Sequence, residues 1–158
     1  MSKAEIIAAV EDTWRAFRDS FERLTTSDLE VAHVAGEWSI KDIVGHVAAW
    51  DQELAYLVVG REPGKDLTRR RIDSFNRQQV EKRDGRPVSE VLTELGEVRR
   101  LLRDALQSAP DEYFEAASIW RRRIDSYSIY HHQEHTAEIQ LWIDRTRRGW
   151  RPYRESRE

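Results

Sequence analysis

The sequence predicts an all-α fold, a four-helix bundle of antiparallel type in which one long crossover carries a minor helix. Apolar residues recur at steps of three and four along four long segments, and no segment has the alternating pattern of a strand. About 30 residues separate the second and third of these segments, which is too long for a hairpin turn. A chain of 158 residues can bury one core, so we expect a single domain over residues 1–158.

The first two helices have clear signals. Residues 3–24 carry a stripe of apolar side chains with charged residues between them, which predicts the first long helix. The second is predicted to begin at Ser39, because Ser39 and Asp42 resemble a capping box, and to end before Gly60. Residues 65–86 have weaker periodicity and many polar residues, which indicates a shorter and more exposed helix within the crossover.

Two further long helices follow the crossover. Residues 88–106 have the most regular apolar stripe of the chain, and Pro110 lies just beyond it. The last helix is predicted from about Arg122 to Arg147, and its apolar markers are Ile124, Tyr127, Leu141, Trp142 and Ile143. Gly149 lies beyond its end, so the tail from about residue 149 is expected to be loosely ordered.

Charge and composition argue against several classes of protein. Lys and Arg number 26 and Asp and Glu number 29, so the net charge of −3 gives no cationic surplus for nucleic acid or an anionic membrane. No segment approaches the roughly 20 apolar residues of a membrane span, and the N-terminus lacks the apolar core of a signal peptide. We therefore expect a cytoplasmic protein that does not bind nucleic acid or a membrane. We also expect a small-molecule substrate and a homodimeric assembly. The absence of Cys excludes thiolate ligands and cysteine nucleophiles.

Three of the five histidines have the spacing of metal ligands. His131 and His135 are four residues apart and therefore share one face of the last helix. His46 lies at the edge of the apolar face of the second helix, from which it can meet the other two across the bundle. Three neutral imidazoles around one ion leave a position open, which is typical of a catalytic site. His132 lies three residues before His135, so a pair of His132 and His135 is an alternative.

Other side chains are candidates for roles around this site. Glu138 lies one turn beyond His135, where it can orient an imidazole, act as a general base or complete the ligand set, and we take it as the catalytic candidate. Trp50 and Tyr127 are expected close to the histidines and are predicted to line the substrate pocket. Asp51 is a weaker candidate, because most acidic residues of such a helix are solvated.

The block formed by residues 38–50, followed by His131-x-x-x-His135-x-x-Glu138, resembles the DinB-like (YfiT-like) superfamily of four-helix-bundle metalloenzymes. The resemblance covers nearly the whole chain and implies that His46, His131 and His135 bind a divalent metal, most commonly zinc or nickel. Known members include S-transferases that use a small thiol. The resemblance therefore implies a hydrolase or a thiol-dependent transferase, and since this chain has no Cys, the thiol would be a low-molecular-weight cosubstrate.

The chain also departs from this family pattern. Where relatives often carry Gln three residues after the last ligand, this chain has Glu138. Its N-terminal half is also similar to the ClbS/DfsB-like branch of helical bundles. That similarity implies an alternative function in stress or detoxification, in which a metal-free bundle binds or detoxifies a small molecule.

Overall fold

The computed structural model describes residues 1–147, and every regular element in that range is a helix. The α-helices are α1 (Lys3–Phe21), α2 (Thr26–Leu29), α3 (Ile40–Gly60), α4 (Arg69–Arg83), α5 (Val88–Ser108), α6 (Ile119–Ile124) and α7 (Tyr130–Arg147). A 3₁₀ turn spans Asp111–Phe114, and a π-helical turn spans Asp125–Ile129. The tail from about residue 149 lies outside the described residues. None of the described helices is long and apolar enough to cross a membrane.

The predicted all-α bundle with one long crossover is confirmed. Its four long helices are α1, α3, α5 and α7, with α3 packed along α5 and α1 packed along α7. The apolar cluster at one end of the bundle joins the C-terminal half of α1 to the first turns of α3. The cluster at the other end joins the start of α1 to the last turns of α3 and α5. Hence α3 and α5 both run opposite to α1, and the α4 crossover returns the chain along the bundle.

The two apolar clusters leave a polar layer between them. On α3 the first cluster ends at Ala48 and the second begins at Leu54, and on the last helical segment Ile129 and Ile139 belong to different clusters. Three buried polar side chains lie in this interval, Asp51, His132 and His135, and the buried His46 lies at its edge on α3. Buried polar groups need partners, so this layer is where the fold places its specific contacts.

The structure differs from the sequence-based expectations at the end of α1, in the last helical segment and at Leu141. α1 ends at Phe21 rather than at residue 24, because Thr25 forms a capping box that begins the short α2. The last helical segment begins at Ile119, where the Ser118 side chain accepts a hydrogen bond from the Trp120 amide, and a π turn then interrupts it. Leu141 was expected to be an apolar core marker, but it is 50% exposed.

A buried arginine fixes α4 against α3. The Arg83 guanidinium is paired with Glu94 of α5 and donates a hydrogen bond to the backbone carbonyl of Gln79. A Cβ atom at Gly45 would lie 2.5 Å from Cδ of Arg83, so α3 needs glycine where the Arg83 side chain crosses it. The crossover helix is therefore held close to the segment of α3 that carries His46.

Candidate metal centre

Three imidazoles converge between α3 and α7. Nε2 of His131 lies 2.7 Å from Nε2 of His46 and 3.0 Å from Nε2 of His135. Their potential ligand atoms all lie within 4.8 Å of one another, and His46 and His135 are buried. The predicted pairing of one histidine from the second long helix with two from the last is what the structure contains.

The site lies directly after the π turn. A π turn holds one more residue than an α turn and is common at functional sites. Ile124 before this turn and His131 after it are therefore not on one continuous α-helical face, although residues seven apart would share a face of an uninterrupted α-helix. The turn allows Ile124 to lie fully in the core while His131 is directed towards His46.

The three rings do not have enough N–H donors in the cluster to form a complete hydrogen-bond network, so their arrangement suits a bound cation better. Nδ1 of His135 donates to Oε2 of Glu138 at 2.6 Å, which directs Nε2 of the same ring towards His131. Nε2 of His131 carries at most one hydrogen, so it cannot donate a full hydrogen bond to both His46 and His135. Donor atoms of a tetrahedral zinc site lie about 3.3 Å apart, so movements of a few tenths of an ångström would fit these nitrogens to one ion.

The electrostatic environment keeps two of the three rings neutral. Burial lowers the pKa of His46 to about 3, with further contributions from His135 and Arg83. Burial also lowers the pKa of His131 well below its ordinary value, with smaller contributions from the neighbouring histidines. A metal requires the neutral form of imidazole, so neither ring has to lose a proton at neutral pH to bind one.

A cavity of about 440 Å³ adjoins the cluster. It is lined by all three histidines together with Trp38, Trp50, Ile72, Asn76, Ser126, Tyr127 and Glu134. Trp50 packs edge-on against Tyr127 with ring centres 4.8 Å apart, and Nε1 of Trp50 donates to Oδ1 of Asn76 at 2.9 Å. The two aromatic residues predicted for the substrate pocket thus lie in the wall of this cavity.

Glu138 lies on the opposite side of His135. It lines a second cavity, of about 480 Å³, together with Trp38 and Trp142, and it does not line the cavity that contains all three histidines. Its side chain is 36% exposed and contacts the nitrogen of His135 that faces away from the cluster. This contact orients the His135 ring, which is one of the roles expected for Glu138 from the sequence.

His132 takes no part in the cluster. Its fully buried ring contacts Oδ2 of Asp51 through Nε2 at 2.7 Å and Oγ1 of Thr13 through Nδ1 at 3.1 Å. The alternative pairing of His132 with His135 is therefore not the one found. Asp51, a weak candidate in the sequence, is 1% exposed and belongs to this buried contact.

Sequence reasoning missed Glu134, although a signal was present. Residues 131–135 read His-His-Gln-Glu-His, in which a glutamate lies three residues after one histidine and directly before the next. The pattern His-x-x-Glu-His occurs in a class of metallopeptidases, where it joins two imidazole ligands to a glutamate on one helix. In the structure Glu134 is exposed and lines the cavity of the three histidines.

Comparison with known proteins identifies a family. The family model of the DinB superfamily matches residues 9–139 of the chain. A crystal structure of an uncharacterised protein from Escherichia coli UTI89 has a similar fold, with a TM-score of 0.74 and 13% sequence identity. That similarity covers 92% of this chain and 95% of the other. No curated protein matches the chain significantly.

Proposed function

Because this chain belongs to the DinB superfamily, we propose that it is a metal-dependent enzyme in which His46, His131 and His135 hold one divalent ion. The observation that carries this proposal is the convergence of the three Nε2 atoms beside an open cavity. Three protein ligands leave coordination positions free, which distinguishes a catalytic site from a closed structural one. The all-nitrogen ligand set suits zinc or nickel.

The reaction we propose is hydrolysis or transfer of a small thiol to an electrophilic small molecule. A divalent ion at this position would supply a Lewis acid that lowers the pKa of an entering water or thiol. Glu138 holds His135 with Nε2 free for the ion. The absence of Cys from the chain means that a transferred thiol has to be a separate cosubstrate.

The cavity favours a substrate with an apolar or aromatic part. Trp38 packs on His46 with ring centres 4.7 Å apart, and Trp50 and Tyr127 form the adjoining wall. Aromatic walls bury apolar ligand surface at the centre and exclude water from it. We propose that these residues place an electrophilic carbon close to the three histidines.

The direct test is the metal content of the purified, tag-free protein after equilibration with limiting zinc, nickel or manganese. About one ion per chain is expected in the wild type, and loss of the ion is expected in His46→Ala and His135→Ala. His33→Ala is the matched control, because His33 is exposed and lies outside the cluster. A wild type that retains no metal, or a His46→Ala variant that retains all of it, would contradict the proposal.

A second candidate function is metal-free binding of a small molecule, favoured by the aromatic wall around Trp50 and Tyr127. In that case the chelator-treated protein would bind or protect against an aromatic electrophile as well as the metal-loaded protein does. Consumption of a model thiol with the same electrophile, measured with and without zinc, separates the candidates. A rate that depends on zinc and falls in His135→Ala supports the metalloenzyme, whereas equal protection without metal supports the binding protein.

A further inference from the structure

We propose that Glu134 is the proton acceptor for the nucleophile that enters the open position beside the three histidines. This inference rests on the proposed function, since it requires the metal centre to exist. It assigns to Glu134 the acid–base role that the sequence suggested for Glu138.

The cavity that contains the three histidines has a single carboxylate among the described residues that line it, and that carboxylate belongs to Glu134. Lys and Arg side chains are absent from the same described lining. A nucleophile that approaches the histidines through this cavity therefore meets one carboxylate that can accept its proton. The other possible acceptors in the described lining are the imidazoles.

Glu134 and Glu138 differ in their contacts. Oε2 of Glu138 accepts a hydrogen bond from Nδ1 of His135, on the side away from the cluster. The carboxylate of Glu134 has no hydrogen-bond or ion-pair partner within residues 1–147, and the residue is exposed and lines the cavity. Glu138 is therefore engaged in holding a ring, whereas Glu134 is free to exchange a proton.

The position of Glu134 on α7 is consistent with this role. Side chains on a helix lean towards its N-terminus, so residues of one turn converge over the preceding turn. Glu134 lies one turn after His131 and directly before His135, and all three line one cavity. The same order of residues serves metal-dependent hydrolysis in a class of metallopeptidases, where the glutamate acts as the base.

In the proposed reaction Glu134 takes one proton from the nucleophile and later gives one proton to the leaving group. As an oxygen of water attacks the electrophilic carbon, its O–H bond breaks and a carboxylate oxygen of Glu134 takes the proton. The new C–O bond forms while the bond to the leaving group breaks, and Glu134 then gives the proton to the leaving group. For a thiol nucleophile the same scheme applies to the S–H bond and the new C–S bond.

The test uses the full-length protein loaded with one equivalent of zinc and the probe acetohydroxamic acid. This weak acid is mostly protonated at neutral pH and ligates zinc as its anion, so binding requires a proton acceptor. We expect Glu134→Gln to retain zinc, to bind the probe about tenfold more weakly, and to release one proton per probe into the buffer. Glu97→Gln is the matched control, since Glu97 is an exposed glutamate of α5 and the charge change is identical.

Calorimetry in two buffers of different ionisation enthalpy measures both the affinity and the released protons. Wild type and Glu97→Gln should bind the probe with equal affinity and release fewer protons than Glu134→Gln. Equal affinity and equal proton release in Glu134→Gln would overturn the inference while leaving the metal centre intact. Loss of zinc from Glu134→Gln would also overturn it, because the residue would then be a ligand. A wild type that holds no zinc, or that holds zinc but binds no probe, would refute the proposed function and this inference together.

Discussion

Acid should destabilise the metal-free protein more than its carboxylates alone would. In the folded chain His46 and His131 are buried and neutral, with the pKa of His46 lowered to about 3 and that of His131 lowered well below its ordinary value. In the unfolded chain each ring recovers a pKa of about 6.5. The unfolded state therefore binds more protons than the folded state below about pH 6.5, and the free energy of unfolding falls as the pH falls.

The magnitude follows from this difference. Between about pH 7.5 and about pH 5.5, an imidazole that titrates only when unfolded costs roughly 1 to 2 kcal/mol. The two rings together should cost roughly 2 to 3 kcal/mol, a large part of the 5 to 15 kcal/mol that stabilises a typical domain. The stabilisation that depends on the neutral rings is fully present above the pKa of the unfolded chain. It is lost progressively as the pH falls from about 6.5 towards the pKa of the ring in the folded chain.

Urea unfolding of the chelator-treated protein, followed by circular dichroism at several pH values, measures this dependence. His46→Gln should remove about half of the loss, because it removes one of the two rings whose pKa burial lowers. His33→Gln should leave the dependence unchanged, since His33 is exposed. A free energy of unfolding that is flat over this pH range, or an equal effect of both variants, would refute the reasoning.

Three further predictions concern single side chains. Gly45→Ala should cost about 1 to 3 kcal/mol of stability in chemical denaturation, because the new Cβ meets the immobilised Arg83. Gly96→Ala is the control and should stabilise the protein by up to about 1 kcal/mol, because the nearest atom to its new Cβ is 3.9 Å away. Glu138→Gln should weaken zinc binding in calorimetry by about 10- to 100-fold, and unchanged affinity would show that orienting His135 is unimportant. Asp51→Asn should lower the urea midpoint by the equivalent of about 2 kcal/mol, because a buried carboxylate contact is lost, and an unchanged midpoint would contradict this.

The helices and the cluster of three histidines could be read from the sequence because each has a local signal. Amphipathic periodicity reports which face of a helix is buried, and the buried residues of α1 and α5 recur at helical spacing. The spacing of His131 and His135 places them on one face whatever the rest of the chain does. The convergence of His46 with this pair required the additional expectation that the second and last long helices meet, which the bundle satisfies.

The π turn and the role of His132 could not be read in the same way. A π turn has no distinctive composition, and it forms where tertiary packing on either side demands an extra residue. His131 and His132 are chemically identical neighbours, so only their partners distinguish them. Asp51 selects His132 as its partner, and this selection depends on how α3 lies against α7 rather than on either local sequence.

The same partners explain how the site keeps its geometry. Neighbouring helix residues are about 100° apart, so contacts from both His131 and His132 to α3 define the rotation of α7 and its axial position. The apolar clusters on either side can repack at modest cost, whereas a buried polar group left without a partner is expensive. The contact of His132 with Asp51 therefore constrains α7 more strictly than apolar packing does. On this argument the buried pair positions α7 so that the rings of His131 and His135 meet His46.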